Sequence, residues 1–349
     1  MTLTPLYPIP VTILTGFLGA GTTTLLNRIL RGNHGRRIGV LVNDFGAVNI
    51  DAKLVDSVAD GGQAINLSNG CICCSMQGDL VTSTLTMLTG PNPPEQIVIE
   101  ASGISDPFGV AGAFRTSQLR DRTRLDGVVA LVDAENARSR FLDRQLVEDQ
   151  IRAADIVLLN KADLVGRERL LELEFWIRDL VPRARVIPTI RADVPLDLLL
   201  DVGGATSSSA HDHAPHDIAQ FTTLSYGSGC RLAYRKVQAA LESLPLDVFR
   251  AKGTLYLADA PNLRFVAQMV GRRVSIDVDR PWGEETARTE IVVIGAPGSL
   301  TAEDVTARFD ACITDAIPIM ANEPFQRMRT HHKKARALLA STHSTGETF

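Results

Sequence analysis

The stretch VTILTGFLGAGTTTLLNRIL, residues 11–30, decides the fold. An apolar run of strand length leads into a glycine-rich segment, and an amphipathic segment follows with Leu25, Leu26, Ile29 and Leu30 on one side. Glycines let backbone N–H groups turn towards phosphate oxygens, and the N-terminus of the following helix adds its dipole. The stretch therefore predicts a strand, a phosphate-binding loop and a helix.

The glycine-rich segment departs at one position from the phosphate-loop pattern G-x-x-x-x-G-K-[ST]. Gly16, Gly21 and Thr23 fit the pattern, but Thr22 stands where the lysine belongs. The Thr23 hydroxyl is expected to reach Mg²⁺. The residues predicted to contact the nucleotide here are Gly16, Gly19, Ala20, Gly21, Thr22, Thr23 and Thr24.

The missing lysine removes a cation at the β- and γ-phosphates, where one preorganised group is worth on the order of 10² to 10³ in rate. We therefore expect slow hydrolysis, weakened binding or a substitute cation. Arg28, Arg36 and Arg37 are near in sequence, but the sequence does not show that any of them reaches the phosphates. A glycine-rich turn without a ligand stays the alternative.

Apolar runs of strand length recur after this stretch, rich in Val and Ile and separated by segments of helix length. Such runs are typical of parallel strands in a sheet that is covered on both faces. The fold class predicted is α/β, a doubly wound, mostly parallel sheet of the P-loop NTPase type. The runs are IGVLVND (38–44), QIVIEAS (96–102), GVVALVDA (127–134), DIVLLNK (155–161) and RVIPTI (185–190).

The rest of the chain predicts a second, smaller unit. Residues 1–202 are assigned to the nucleotide domain, and the polar, His-rich residues 203–217 to a linker. Residues 218–325 are assigned to an α+β domain, with strands expected near 220–226, 253–258, 274–279 and 290–294 and helices over 231–243 and 302–314. The basic tail, residues 326–349, is predicted to be a solvated helix followed by disorder.

The motif N-K-x-D at Asn160, Lys161 and Asp163 follows a predicted strand. The Asp163 carboxylate can accept both the ring N–H and the amino group of guanine, and adenine offers no such pair of donors. Asn160 is expected to tie this loop to the phosphate loop, and the stem of Lys161 to cover the base plane. The motif favours a guanine-binding site. The alternatives are an ATP-using or kinase-like enzyme and an ordinary turn at the end of the strand.

Carboxylates at two strand ends predict the magnesium side of the site. Glu100 closes the run QIVIE, with Gly103 at E-x-x-G spacing, and can hold Mg²⁺ hydration or orient the attacking water. Glu100 and Thr23 are therefore the candidate catalytic residues, and a satisfied strand-end carboxylate is the alternative for Glu100. Asp44 and Asp51 lie in VNDFGAVNID, which is either a nucleotide-sensing loop or a simple turn.

Three cysteines within four positions, Cys71, Cys73 and Cys74, supply soft ligands that suit Zn²⁺ or Cu(I). Their crowding is poor geometry for disulfides. A reactive thiol cluster and small packing residues are the alternatives. Cys230 and Cys312 are interpreted as lone packing cysteines and are given no role.

The totals exclude several classes. The chain has 349 residues, 45% hydrophobic and 22% charged, enough for about two domains with sizeable cores. A formal net charge of −4 lacks the basic excess of a nucleic-acid binder. No apolar run approaches the ~20 residues of a membrane span, and a basic signal-peptide region is not evident at the start, so a cytoplasmic location is expected.

Taken together, the motifs GFLGAG, VNDFG, NGCICCS, EASGISDP, LNKADL and DRPWGEE resemble those of the CobW-like metallochaperone GTPase family, across roughly residues 11–312. The resemblance implies a nucleotide-gated metal carrier that uses GTP and GDP with Mg²⁺. It favours zinc, with cobalt or iron in some branches. It implies Cys71, Cys73 and Cys74 as metal ligands. It also implies Asn160 and Asp163 as nucleotide ligands.

The chain departs from this family at a second place besides Thr22. Relatives often read N-E-F-G-E where this chain has Asp44 and Ala47, so one carboxylate metal ligand is missing and Asp44 is the remaining candidate. The linker histidines His211, His213 and His216 either collect metal loosely or are incidental.

The leading hypothesis is a carrier that delivers metal to a client metalloprotein as its nucleotide state changes. A regulatory or scaffold module that holds GTP and metal with little turnover is the rival. A homodimer is an open alternative, and neither nucleic acid nor membrane is an expected partner.

Overall fold

The computed structural model describes most of the chain. It covers residues 8–32, 35–42, 63–66, 75–101, 103, 106–137, 144–200 and 221–314. Within these ranges no helix is both long and apolar enough to cross a bilayer. The predicted linker, the metal motif and the basic tail lie outside the described residues, as do the proposed domain boundaries at 202/203, 217/218 and 325/326.

Seven parallel strands form the first sheet, in the order β3-β2-β4-β1-β5-β6-β7. The Val- and Ile-rich centres of the other six strands, β3 apart, are buried on both faces, as predicted for a doubly wound sheet. The central position of β1 places the glycine loop beside the end of β4. The strands are β1 (Ile9–Gly16), β2 (Ile38–Val42), β3 (Gln63–Asn66), β4 (Gln96–Glu100), β5 (Thr123–Asp133), β6 (Ile156–Asn160) and β7 (Arg185–Pro188).

Helices cover both faces of this sheet and enclose separate apolar clusters. The first helix buries Leu25, Leu26 and Ile29, the side that the sequence predicted. The third begins where Asp106 caps its backbone N–H groups and Pro107 takes the first helical position. The helices are α1 (Thr22–Arg31), α2 (Ser75–Thr89), α3 (Pro107–Ala113), α4 (Arg144–Ala153) and α5 (Arg167–Leu180).

The second sheet is antiparallel, with the strand order β11-β10-β9-β12-β8. Two helices enclose a single core with it, so the smaller α+β unit is confirmed. A capping box between Thr301 and Asp304 begins the last helix. The elements are β8 (Thr222–Ser228), α6 (Tyr234–Glu242), β9 (Val248–Tyr256), β10 (Leu263–Val270), β11 (Arg273–Pro281), β12 (Thr289–Gly295) and α7 (Ala302–Asp310).

The two sheets meet at the amino ends of β5, β6 and β7, opposite the edge that carries the glycine loop. Arg250 of β9 pairs with Asp126 of β5 at 3.2 Å, and both side chains are at most 3% exposed. Arg185 of β7 donates to the Val248 carbonyl at 2.7 Å. Because removing one partner of a buried ion pair strands the other charge, these contacts fix one sheet against the other.

The sequence missed two strands and misjudged one cysteine. β3, four residues with polar ends, is too short to show a period, and β10 was not predicted although its centre is buried. β9 begins at Val248, five residues before the predicted start. Cys312 is buried as predicted, but Cys230 is exposed, so the packing interpretation of Cys230 is wrong.

Candidate functional site

The glycine loop turns between β1 and α1 in a conformation that its glycines permit. Gly19 and Gly21 have φ of 82° and 109°, values that residues with a Cβ atom rarely adopt. A Cβ on Gly21 would lie 2.6 Å from Nδ2 of Asn160, and one on Gly16 would lie 2.6 Å from the Leu131 carbonyl oxygen. Gly21 therefore needs glycine both for the turn and for close approach, Gly19 for the turn, and Gly16 for close approach.

A cavity of about 260 Å³ opens in front of this loop. It is large enough for a phosphate chain and its metal ion, but it does not extend to Lys161 or Asp163. The residues that line it are Gly16, Phe17, Leu18, Gly19, Gly21, Thr22, Thr23, Thr24, Val42, Glu100, Ala101 and Gly103. Ala20, the remaining predicted loop residue, is buried behind it at 1% exposure.

Thr23 and Glu100 lie together at the floor of the cavity. The Thr23 hydroxyl donates to Oε1 of Glu100 at 2.8 Å, and the glutamate is 3% exposed. Parallel pairing of β1 with β4, with Leu14 opposite Glu100, places the carboxylate beside the start of α1. A hydroxyl and a carboxylate are hard oxygen donors, so this pair fits Mg²⁺.

The cavity carries little positive charge. Among the described residues that line it there is no Lys or Arg, and Glu100 is the one charged side chain. Two of the nearby arginines are engaged elsewhere: Arg28 pairs with Asp193 at 2.6 Å, and Arg37 pairs with Glu95 at 3.4 Å. Arg36 is not among the lining residues either. Among the residues that the structure describes, none therefore substitutes for the missing lysine at the cavity.

Asn160, at the end of β6, ties the loop that follows this strand to the glycine loop, as the sequence predicted. Its Nδ2 donates to the Ala20 carbonyl at 2.8 Å. Its Oδ1 accepts from the Ala192 backbone N–H at 2.8 Å and from the Thr189 hydroxyl at 3.2 Å. With the side chain 2% exposed, these three bonds fix the end of β6 between two loops.

Thr189 and Ala192 were missed by sequence reasoning. Thr189 follows directly on β7, and the carboxyl ends of parallel strands are where such sites form, which is the one signal available. Arg191 and Ala192 have φ of 51° and 53° without being Gly or Asn, so their turn had no sequence signature.

Lys161 is held by an ion pair that the sequence did not reveal. Its Nζ lies 2.7 Å from Oδ2 of Asp133, and the backbone of Lys161 has a φ of 61°. Burial alone would raise the pKa of Asp133, but hydrogen bonds from Lys161 and Asn136 outweigh it, and the pKa falls below its usual value. Asp163 lies in the 3-10 turn Ala162–Leu164 with its side chain exposed.

The predicted metal ligands Cys71, Cys73, Cys74 and Asp44 lie outside the described residues. Among the residues that are described, no group of three or more His, Cys, Asp or Glu side chains has metal-site geometry. The strands that flank the motif are placed, however. Val42 is in register with Asn66 on one side and with Glu100 on the other, so β2, β3 and β4 end at one edge.

Known proteins with similar sequences match over nearly the whole chain. The sequence model described as "CobW/HypB/UreG, nucleotide-binding domain" matches residues 10–188, and "Cobalamin synthesis protein cobW C-terminal domain" matches residues 221–313. The zinc chaperone YjiA of Escherichia coli strain K12 is 35% identical over 322 residues, covering 86% of this chain and 98% of the relative. The zinc chaperone CobW of Sinorhizobium sp. is 32% identical over 335 residues, covering 82% and 92%.

A solved structure is similar as well. The crystal structure of Zn(II)-bound YjiA GTPase from E. coli is 30% identical, covers 88% of this chain and 100% of the other, and superposes with a TM-score of 0.46. The parallel sheet and glycine loop define a P-loop nucleotide-binding protein with a C-terminal α+β domain. The two family matches identify it further: the chain belongs to the CobW family.

Proposed function

We propose that this chain is a GTP-dependent metal carrier. It binds GTP or GDP with Mg²⁺ at the glycine loop, hydrolyses GTP slowly, binds zinc through Cys71, Cys73 and Cys74, and passes the metal to a client metalloprotein. The observation that carries the proposal is the cavity at the glycine loop, with Thr23 and Glu100 joined at its floor. The names of the relatives, zinc chaperones, support the metal.

The glycine loop would hold the phosphates through backbone N–H groups and the N-terminus of α1. Thr23 and Glu100 are the assigned magnesium-side residues, and their hydroxyl and carboxylate fit that ion. When bound, Mg²⁺ supplies the positive charge that offsets the β- and γ-phosphates. Glu100 is also assigned to hold the attacking water by accepting its hydrogen bond, which makes it the candidate catalytic residue.

Base choice is assigned to Asn160, Lys161 and Asp163. Asn160 is fixed by its three hydrogen bonds, and Lys161 is fixed by Asp133, so the loop that presents Asp163 is held at both of its first positions. An exposed Asp163 is free to accept from the two guanine donors. A preorganised acceptor of this kind supports guanine rather than adenine.

The placement of strand ends supports coupling between the nucleotide and the metal. Asn66, the last residue of β3, is two strands away from Glu100, about 10 Å at the usual strand spacing. The cysteines follow Asn66 in sequence and directly precede Ser75, the first residue of α2. The segment that carries the ligands therefore follows directly on the strand end that lies at the same edge of the sheet as Glu100. Co²⁺ or Fe²⁺ in place of zinc is the alternative cargo.

Two binding experiments on the purified protein test the proposal. GTP and GDP should bind well ahead of ATP in a competition assay, and Asp163→Asn should weaken that preference. Equal affinities for GTP and ATP would exclude the guanine assignment.

Replacing Cys71, Cys73 and Cys74 together with Ser should abolish the tight zinc site and leave GDP affinity, measured without zinc, unchanged. The matched control is Cys230→Ser, because Cys230 is an exposed cysteine away from the motif. Deleting residues 205–217 should lower the total zinc bound without removing the tightest site. Tight zinc binding that survives the triple replacement would contradict the assignment.

A second candidate is a regulatory or scaffold module that holds GTP and metal without turnover. The observation that favours it is the lack of a Lys or Arg among the described residues lining the cavity. Single-turnover measurement with radiolabelled GTP separates the two, because only the carrier releases phosphate at a rate above the uncatalysed one.

A further inference from the structure

Gly103 is packed between the phosphate loop and α4. A Cβ on Gly103 would lie 2.9 Å from the backbone nitrogen of Leu18 and 2.7 Å from its Cδ2, so the glycine backbone rests directly on the loop. On its other side the Gly103 carbonyl accepts a hydrogen bond from Nε2 of Gln150 at 3.0 Å. Gln150 is 2% exposed, which makes this bond costly to break without a replacement.

The carboxyl end of α4 is bound to the C-terminal domain. The Arg272 guanidinium donates to the Arg152 carbonyl at 2.7 Å. Asp155, just beyond the helix and 1% exposed, lies 3.0 Å from the Arg273 guanidinium and 3.5 Å from that of Arg272. These two arginines sit at the turn between β10 and β11.

That turn is pressed against the same segment. Gly271 has a φ of 55°, and a Cβ there would overlap the backbone carbonyl of Asp155. The backbone N–H of Val128 also donates to Asp155, at 3.0 Å, which fixes the carboxylate from the side of β5. The hairpin therefore cannot shift without moving Asp155 or losing its ion pairs.

The two attachments are close together on one rigid element. Gln150 and Arg152 are two residues apart in the last turn of α4, about 3 Å along the helix axis. A movement of Gly103 that pulls on Gln150 would therefore act on the same helical turn that Arg272 holds. The contacts form a continuous chain from a cavity-lining glycine to a hairpin of the other domain.

We propose that α4 is a relay that communicates the nucleotide state at Gly103 to the β10–β11 hairpin, with Gln150 as its positioning residue. The relay rests on the proposed binding of guanine nucleotides at the glycine loop. GTP and GDP differ by the γ-phosphate, and Gly103 lines the cavity that is proposed to hold the phosphates, so the two nucleotides would place Gly103 differently. If the bound nucleotide changes the conformational equilibrium of the hairpin by some factor, linkage requires that restraining the hairpin change the ratio of GTP to GDP affinity by that same factor.

The test compares Gln150→Met with Gln145→Met. Both replace a glutamine of α4, but the Gln145 amide is at the surface, where it donates to Asp149 at 3.0 Å. Calorimetry gives the affinities for GDP and for a non-hydrolysable GTP analogue, and hydrogen exchange follows the amides of residues 270–274 in both nucleotide states. A spatial chain alone does not demonstrate coupling, so the nucleotide dependence of exchange is the deciding measurement.

In the unmodified protein and in Gln145→Met, exchange at residues 270–274 should differ between the two nucleotides. In Gln150→Met that difference should disappear, and the ratio of analogue to GDP affinity should change about fivefold to tenfold, the effect of one buried hydrogen bond. Equal exchange in both nucleotide states of the unmodified protein, or equal behaviour of the two variants, would overturn the relay.

Arg272→Gln provides a second route, because Arg272 is on the surface and its replacement leaves the nucleotide domain's core intact. Arg272→Gln should remove the nucleotide dependence of hydrogen exchange at residues 270–274, while GDP affinity stays within about twofold. An unchanged nucleotide dependence of exchange in this variant would overturn the relay, even if Gln150→Met does not fold. Failure of the unmodified protein to bind either guanine nucleotide would instead refute the proposed function itself.

Discussion

Thr23 and Glu100, 77 positions apart in the chain, are joined by a hydrogen bond of 2.8 Å from the threonine hydroxyl to Oε1 of the glutamate. The bond uses the hydroxyl proton and leaves the lone pairs of Oγ1 available to a cation. The carboxylate thereby fixes the orientation of the hydroxyl.

This relationship predicts how Mg²⁺ affects nucleotide binding. In Thr23→Val the gain in affinity for a GTP analogue on adding Mg²⁺ should fall by about tenfold to a hundredfold, the range for an interaction with a charged group. Thr23→Ser, which keeps the hydroxyl, is the matched control and should retain most of the gain. Titrations with and without Mg²⁺ measure it; an equal gain in the Val variant would show that Thr23 is not a magnesium ligand.

The Thr22 position predicts a gain of activity. Since no Lys or Arg is among the described lining residues, Thr22→Lys should raise GTP turnover, by up to on the order of 10². Thr22→Met supplies similar bulk without charge and should not raise it. Phosphate release is the measurement. Turnover that is unchanged or lower in the Lys variant would mean that another group already provides the cation.

The ion pair of Asp133 with Lys161 predicts a pH dependence of stability. Because the folded-state pKa of Asp133 is lowered, its ionised form stabilises the fold above the unfolded-state pKa of about 3.9, and this contribution is lost as pH falls through the lower folded value. With Lys161 33% exposed, solvent screening limits the effect to about 0.5 to 1 kcal/mol.

Urea unfolding of Asp133→Asn against the unmodified protein checks this expectation. The free energy of unfolding should be lower in the variant by a constant amount above about pH 5 and should converge with the unmodified protein below about pH 4. A difference that grows as the pH falls would have the wrong sign for a carboxylate with a lowered pKa.

The sequence predicted those parts of the fold whose signals are local. Six of the seven parallel strands show runs of Val, Ile and Leu, and the loop before Thr22 has glycines where φ is positive, so both could be read directly. β3 is four residues long and, among the described strands, pairs with β2 alone, so its identity depends on the sheet rather than on its own composition.

The motifs of the candidate site could be predicted from the sequence, but the residues that position those motifs could not. The contact between Asn160 and the phosphate loop followed from the motif. Other residues hydrogen-bond to the motif residues and fix their positions, but they come from distant segments and belong to no motif. These residues are Thr189, Asp133 and Gln150. Their roles arise from tertiary packing, which spacing along the chain does not encode.

Nucleotide and metal binding are proposed to be coupled, and zinc affinity measured with and without a bound GTP analogue at fixed pH tests this coupling directly. Fixed pH matters because cysteine thiols lose their protons when they bind zinc as thiolates. Coupling predicts that the zinc affinities with and without the analogue differ by roughly 5- to 150-fold, a coupling of about 1 to 3 kcal/mol. It also predicts an equal effect of zinc on the affinity for the analogue. Identical zinc affinity in both states would contradict it and leave a protein with two independent sites.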